Sequence, residues 1–341
     1  MRIAEVAPVG THVSDSALGS IERMVWLLAR ELEELGHDVT VFAADGSEAP
    51  GELIPTLPGT YALNGSPPHW QTCEWINVAR AIEHSDRFDV MHSHSYLWGV
   101  PLTPLARCPL LHTTHLIPHD DEARIRELYP DAVVTAISDE QWRGFPHLPP
   151  AAVIPHGLDP ARHTLGLGRG GYLCYLGRFT PGKGPLEAIA AARELGMPLL
   201  MAGPADAHYH ELVAPLVDGK SVEYVGFADP GQRDELLGGA AALLYPLQAP
   251  EPFGLVMVES MLSGTPVAAL AVGAVTEIVE DGVTGAVELE AAMLPHAVER
   301  CLALDRARVR ERVLERFTAR RMALGYVELY ERVLEEAACR S

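Results

Sequence analysis

Lysine is almost missing from this chain, with Lys183 and Lys220 its only two. Positive charge as a whole is scarce. Lysine and arginine total 26 against 46 aspartates and glutamates, a net charge of −20. That balance disfavours nucleic acid and anionic lipid as bulk partners, since both repel an acidic surface. No apolar run reaches the length of a membrane span, although 48% of the residues are hydrophobic. Met1-Arg-Ile-Ala-Glu-Val begins directly with a strand pattern, so no leader or anchor is expected. Five cysteines, Cys73, Cys108, Cys174, Cys301 and Cys339, are odd in number and lack metal-type spacing. Unpaired thiols in a reducing, cytoplasmic compartment are the simple reading. No Gly-x-Gly-x-x-Gly follows the first strand, which disfavours a nicotinamide dehydrogenase. No Asp-x-Asp-like metal motif stands beside a strand end, and no internal repeat appears.

What the 341 residues do contain is an alternation of short apolar runs with helical patterns, enough for two domains with separate cores. Arg2 to Pro8 reads as a strand. Ile21, Met24, Val25, Leu28, Leu32 and Leu35 then form one helical face ended by Gly36, and Asp38 to Ala43 is the next strand. Asp45 to Gln71 is rich in glycine and proline and too long for a plain connector. It reads as a lid, an acceptor-side loop or a poorly ordered stretch. A helix is expected over 74–83. Strands follow at 89–92, 109–115, 132–138 and 152–159. Leu165-Gly-Leu-Gly-Arg-Gly-Gly171 reads as a linker, because no helix follows it at once. The second half repeats the alternation, with strands at 172–176, 198–203, 221–227, 240–246 and 266–270. Helices are expected at 185–195 and 232–239, and charged, amphipathic ones over 306–321 and 322–337. The pattern implies two doubly wound sheets, which bind their ligands at strand carboxyl ends.

Histidines crowd such ends: His92, His94, His112, His115 and His119. The spacings His-x-His and His-x-x-His tempt a metal reading. Satisfied loops or a polar cleft lining account for them more simply, and no metal is assigned. Gly177-Arg-Phe-Thr-Pro-Gly-Lys-Gly184 places an arginine and one of the two lysines in a turn between strand and helix. Arg178 can grip a phosphate with two parallel hydrogen bonds, and Lys183 adds a compact charge. Ala249-Pro-Glu-Pro-Phe-Gly-Leu255 joins a strand to a helix. The amides of that helix start suit an anion. Glu251 lies in the loop, and Glu259 sits about one turn inside the helix.

Glu251-x7-Glu259, set in Glu-Pro-Phe-Gly-Leu-Val-x-x-Glu and followed by Gly264-Thr-Pro-Val, resembles the retaining glycosyltransferases of family 4. The resemblance covers nearly the whole chain. It implies the α/β GT-B fold: two Rossmann-like doubly wound domains facing across a cleft, with a C-terminal helix crossing back. The expected divisions are 1–160 for the acceptor side, 161–171 for the linker, 172–315 for the donor side and 316–341 for the returning helix. The implied reaction moves a sugar from a uridine or guanosine diphosphate donor to a hydroxyl of a small soluble acceptor. No metal and no cofactor beyond the donor substrate are implied, and membrane association is not expected.

Residue by residue, Arg178 and Lys183 match the family's diphosphate-binding Gly-Arg-x(4)-Lys-Gly, with Gly182 where an acid is common. Thr113-Thr-His115 matches its Thr-x-His, so His115 would contact the donor sugar. Gly19 matches the first turn, usually Gly-Gly, while Ser20 departs from it. Phe227 marks where the base would lie. Phe253, Gly254 and Leu255 would supply amides, Glu251 would hold sugar hydroxyls and Glu259 the ribose. Pro155-His156-Gly157-Leu158-Asp159 resembles the family's Pro-Asn-Gly-Val-Asp, with His156 for the asparagine. The short length is similar to transferases of antibiotic pathways, those of the avilamycin kind included. A sugar phosphorylase, a nucleotide-sugar epimerase or a non-catalytic sugar-nucleotide binder would carry much the same phosphate site.

Overall fold

The computed structural model describes residues 1–17, 19–61 and 69–340. It divides into two units: residues 1–157 with 319–341, and residues 158–318.

The first unit is built on a six-stranded parallel sheet of order β3-β2-β1-β4-β5-β6. Its strands are β1 (Arg2–Val6), β2 (Asp38–Ala44), β3 (Glu52–Leu57), β4 (Val90–Ser93), β5 (Leu110–Thr113) and β6 (Val133–Thr135). The helices α1 (Ser20–Glu34), α2 (Trp70–Ile82) and α3 (Asp120–Leu128) connect them. Parallel strands covered on both faces must be apolar throughout. In β1 only Arg2 is exposed, yet Glu5 is fully buried among Ile3, Ala4 and Val6. A carboxylate in that place needs partners, and they define the site below.

β3 falls inside the glycine- and proline-rich stretch expected to be a loop or lid. Pro55 hides it in the sequence, but β3 is an edge strand, where a missing amide costs no ladder bond. The remainder of that stretch includes residues 62–68, which lie outside the described residues, as does Leu18 of the first turn. The strand expected at 152–159 is reduced to two isolated bridges, Val153 with Ala136 and Leu158 with Thr318.

The second unit repeats the plan with strand order β12-β11-β10-β7-β8-β9. Here β7 is Leu173–Leu176, β8 Leu199–Ala202, β9 Val222–Gly226, β10 Ala242–Tyr245, β11 Val267–Leu270 and β12 Gly285–Glu288. The helices are α4 (Pro185–Leu195), α5 (Pro230–Gly239), α6 (Leu255–Leu262), α7 (Val275–Ile278), α8 (Leu294–Leu302) and α9 (Arg306–Leu314). The glycine run at 165–171 lies in this unit and is hydrogen-bonded throughout. The amides of Gly166, Gly168 and Gly170 each donate at 3.0 Å to Ser263, Gly238 and Gly239 carbonyls. A Cβ on Gly166 would meet the Gly238 carbonyl oxygen at 2.1 Å, so only glycine allows this approach. The half-buried Arg306 closes the contact by donating to the carbonyls of Gly166 and Ala240, both at 2.9 Å, and of Gly238 at 3.0 Å.

The charged helix expected over 306–321 stops at Leu314. Phe317 turns inward against Phe253, and α10 (Ala319–Arg340) starts afresh and belongs to the first unit. There it packs along α1 and buries Tyr326 and Tyr330. Among the described residues no helix is long and apolar enough to cross a membrane.

Arg306→Ala removes one donor group from four carbonyls and the Thr265 hydroxyl at once. It is expected to destabilise the second unit by about 2–4 kcal/mol, read as a lower urea midpoint; an unchanged midpoint would show that water replaces the guanidinium without cost.

Candidate active site

In each sheet the winding direction reverses between two neighbours, β1 and β4 in the first unit and β10 and β7 in the second. Loops leaving those pairs diverge, and the crevice at their carboxyl ends is where such sheets bind ligands.

In the second unit, the loop after β7 carries Arg178 and Lys183, and the loop after β10 carries Glu251. Three contacts bring them together. The amides of Gln248 and Ala249 donate to the Gly182 carbonyl at 2.9 and 3.2 Å. Gly184, at φ +70°, lies so close to the Pro246 carbonyl that a Cβ would come within 1.9 Å. Lys183 Nζ then reaches Glu251 Oε1 at 2.5 Å. The Glu251 carboxylate also accepts the Tyr245 hydroxyl. Burial, then the Glu251 charge, holds that hydroxyl well above its usual pKa, so Tyr245 stays a donor. The Arg178 side chain is exposed and makes no ion pair among the described residues, while its carbonyl accepts the Tyr175 hydroxyl at 2.7 Å.

Gly254 caps α6 at φ +91°, where a Cβ would lie 2.6 Å from the Tyr245 hydroxyl. The backbone therefore passes tightly over Tyr245, the same side chain that meets Glu251, as it enters α6. Helix geometry leaves the first-turn amides of α6, Leu255 among them, without an intrahelical acceptor. Phe253 is buried against Phe317 and serves as an anchor for this turn. Glu259 is 3% exposed and ion-paired with Arg233 of α5. Phe227, after β9, is 64% exposed.

The first unit's ligand edge holds a chain of buried rings. Glu5 Oε2 and His94 Nε2 are 2.8 Å apart, His94 Nδ1 and His115 Nε2 3.0 Å, and His115 Nδ1 and His156 Nε2 3.3 Å. Burial pushes the Glu5 carboxyl up, but His92 and His94 outweigh it and pull it down to about 2. An ionised carboxylate only accepts, so it fixes every proton in the chain. His94 donates from Nε2, accepts on Nδ1 from His115 Nε2–H, and His115 accepts on Nδ1 from His156 Nε2–H. Glu5 Oε1 accepts the Tyr330 hydroxyl at 2.9 Å. His92 lies between Tyr330 at 2.7 Å and Thr113 at 2.6 Å.

Three of the five expected histidines thus share this edge, and His156 joins them. His112 points elsewhere, to Thr103 at 2.8 Å, and its Nδ1 has no partner among the described residues. His119 is exposed and caps α3. Possible ligand atoms of Glu5, His92 and His94 lie within 4.8 Å of one another. Each of their ring nitrogens takes part in one of the hydrogen bonds above. Glu5 was not foreseen from the sequence, although an acid inside an apolar strand run is a legible signal.

At the start of α1, Gly19 is the N-cap, and Ser20 is the first helical residue and exposed. A Cβ on Gly19 would overlap Glu22 Oε2 at 2.0 Å. Glu22 is buried and accepts the Thr11 amide at 3.0 Å, with its pKa raised by burial. Nearby Glu74 accepts the Val9 amide at 3.1 Å, and burial pushes it up to about 7.

Two doubly wound parallel sheets, with a basic turn and a helix start meeting at the switch point of the second, define the GT-B class of glycosyltransferase. The comparisons agree. The profile for Glycosyltransferase Family 4 matches residues 21–162, and that for Glycosyl transferases group 1 matches residues 165–312. A D-inositol 3-phosphate glycosyltransferase of Mycobacterium sp. (strain KMS) is 30% identical over 82% of this chain and 78% of its own. The chain belongs to the family 4 glycosyltransferases. Among solved structures, AviGT4, a glycosyltransferase involved in avilamycin A biosynthesis, is 26% identical with TM-score 0.74, covering 98% of each chain. HepE of Anabaena in complex with UDP and glucose shares the fold at TM-score 0.72 and 20% identity, over 97% of this chain and 99% of that one.

Burial, then His92, holds His94 down at about 4, burial and His94 hold His156 down at about 3, and His115 lies well below its usual range. These rings stay neutral in the fold while an unfolded histidine protonates near 6.5. Between about pH 7 and 5 the unfolded chain takes up the extra protons, so their contribution to stability falls as pH falls. Glu74 acts oppositely: its raised folded pKa stabilises the acid side and is lost as pH rises through about 7. Glu74→Gln removes that opposing effect. Its stability is expected to fall more steeply on acidification, by ~1.4 kcal/mol per pH unit. Urea midpoints at pH 7, 6 and 5 test this, and parallel curves for variant and wild type would contradict it.

Proposed function

We propose that the protein is a retaining glycosyltransferase that moves a sugar from a uridine diphosphate donor to a hydroxyl of a small soluble acceptor, without a metal ion. The observation that carries this reading is the meeting of Lys183, Glu251 and the α6 start at the β7/β10 switch point. HepE, of the same fold, is a complex with UDP and glucose, which supports the choice of nucleotide. The free cysteines suit a cytoplasmic site of action. The likeness to AviGT4 supports a place in antibiotic biosynthesis.

Arg178 and Lys183, with the amides of Gly254 and Leu255, neutralise the departing diphosphate. Stabilising charge that develops on a leaving group is usually the largest catalytic effect. In the ligand-free protein Glu251 holds Lys183 in place. On donor binding the ammonium turns to phosphate oxygens, and the released carboxylate accepts sugar hydroxyls. Glu259 takes the ribose hydroxyls beside Arg233, and Phe227 offers an exposed ring to the base. Gly19 and Ser20 contact the donor at the first unit's helix start. His115 meets the donor sugar through the ring edge that His156 now occupies.

A covalent route would need a carboxylate free to attack the anomeric carbon. Glu251, once Lys183 has left it, is still engaged by the Tyr245 hydroxyl and by the sugar hydroxyls it accepts. The acceptor oxygen therefore forms its bond on the face from which the phosphate oxygen departs. The anomeric carbon–oxygen bond to phosphate breaks, and the acceptor proton passes to that leaving oxygen.

Lys183→Ala and Arg178→Ala are each expected to lower turnover by about 10²–10³-fold with the fold intact by circular dichroism. Unchanged turnover in either would remove the diphosphate assignment. The product anomer, read by NMR, should retain the donor configuration; inversion, or a sugar adduct trapped on Glu251, refutes the single-face route. Activity should survive exhaustive chelation, and a loss restored by added divalent ion would return the metal role to the histidine edge.

A further inference from the structure

Three of the five tryptophans gather at one place on the first unit, none of them used above. Trp98 and Tyr96 leave β4, Trp70 opens α2, Trp75 lies a turn further along, and Tyr61 follows β3. Trp70 stands edge-on to Tyr96 at 5.4 Å and to Trp98 at 6.2 Å, and Trp75 is edge-on to Trp98 at 6.3 Å. Tyr61 tilts against Trp70 at 6.4 Å. Trp75 is 50% exposed and Trp70 36%. These residues border the β1/β4 switch point, the ligand edge of this sheet.

Two features separate the patch from ordinary surface apolar residues. Tyr96 sits at φ +53°, the one non-glycine residue with positive φ among those described. An aromatic side chain rarely adopts that region, and such strain concentrates at ligand sites. The ring it positions hydrogen-bonds Tyr61, and both hydroxyls are held above their usual pKa by burial and the Glu74 charge. Beneath them Glu74 is buried, and its Oε2 makes no hydrogen bond among the described residues. Glu22 lies beside Gly10 and Tyr61: a Cβ on Gly10 would meet the Tyr61 hydroxyl at 2.8 Å and Glu22 Oε1 at 3.2 Å. Aromatic walls thus stand over a floor of two carboxyls and two phenols.

We infer that this patch is the acceptor subsite and that it binds a neutral sugar ring, stacked on Trp98 and Trp75 with its hydroxyls on the half-buried Tyr61–Tyr96 pair, which the buried Glu74 and Glu22 back from behind. A pyranose has an apolar C–H face and a polar rim, and the patch offers flat apolar faces beside fixed polar groups. The rival occupants fit worse. Nucleobases stack on aromatics only where basic residues track the phosphates, and anionic lipid wants the same charge; here the floor is acidic and no lysine or arginine forms part of it. The same acids oppose a phosphorylated acceptor such as D-inositol 3-phosphate, named in the relatives. This chain therefore departs from them in acceptor charge.

The inference rests on the glycosyltransferase reading, and its test keeps the two apart. Tryptophan fluorescence of the full chain is titrated with methyl α-D-glucopyranoside, methyl α-D-mannopyranoside, sucrose and D-inositol 3-phosphate; UDP binding is measured separately by calorimetry. At least one neutral glycoside is expected to perturb the emission saturably. Trp98→Ala and Trp75→Ala should each weaken that binding about tenfold or more and leave the UDP affinity unchanged. Absence of any neutral-glycoside signal, wild-type affinity in Trp98→Ala, or tighter binding of D-inositol 3-phosphate overturns the inference. Loss of UDP binding in the wild type would instead overturn the donor reading, with the glycoside titration still legible.

Discussion

Parallel strands impose the constraint on which everything else rests. A parallel sheet cannot close on hairpins, so each strand returns through a crossover, and wherever the winding reverses two loops must part. In the second unit the parting falls between β10 and β7, and the Lys183–Glu251 ion pair spans it. In the first unit it falls between β1 and β4, and two different constructions occupy it: the Glu5–histidine chain beneath and the aromatic patch at the rim. The chemistry sits where topology leaves backbone uncovered, and the glycines at 184 and 254 let the chain approach closely enough to use it.

Both edges solve the same electrostatic problem in opposite ways. In the second unit Lys183, one of two lysines in the chain, is paired with Glu251, and both side chains are partly exposed. In the first unit Glu5 is wholly buried. Its charge is balanced by donors from His94, just after β4, and Tyr330 of α10, each held to one proton position. One pair meets solvent and the other does not.

The local sequence disclosed most of the strands and helices and the loops that carry Arg178, Lys183 and Glu251, because strand apolarity, glycine punctuation and the scarcity of lysine are local signals. Helix α4 falls on its expected bounds, Pro185–Leu195. What it did not disclose depended on distant partners. β3 exists because β2 offers it an edge, and Pro55 conceals it. The terminal helix breaks at 315–318 because Phe317 finds Phe253, some sixty residues earlier in the chain. The histidines were visible as a cluster, but strand alternation sends His112 to the other face. Only tertiary contact adds Glu5, His156 and Tyr330. The aromatic patch draws on two loops and the start of α2, so no short window of sequence contains it.

The helix α10 is the last element made, yet it belongs to the unit made first, and Tyr330 supplies a hydrogen bond to Glu5 across 325 positions. A ribosome would have to deliver the whole second unit before the first could bury its charge. Until then Glu5 has only the His92 and His94 rings of its own unit, and α1 lacks its cover. Losing the last residues of the chain would therefore strip contacts from its first strand and first helix before any from the second unit.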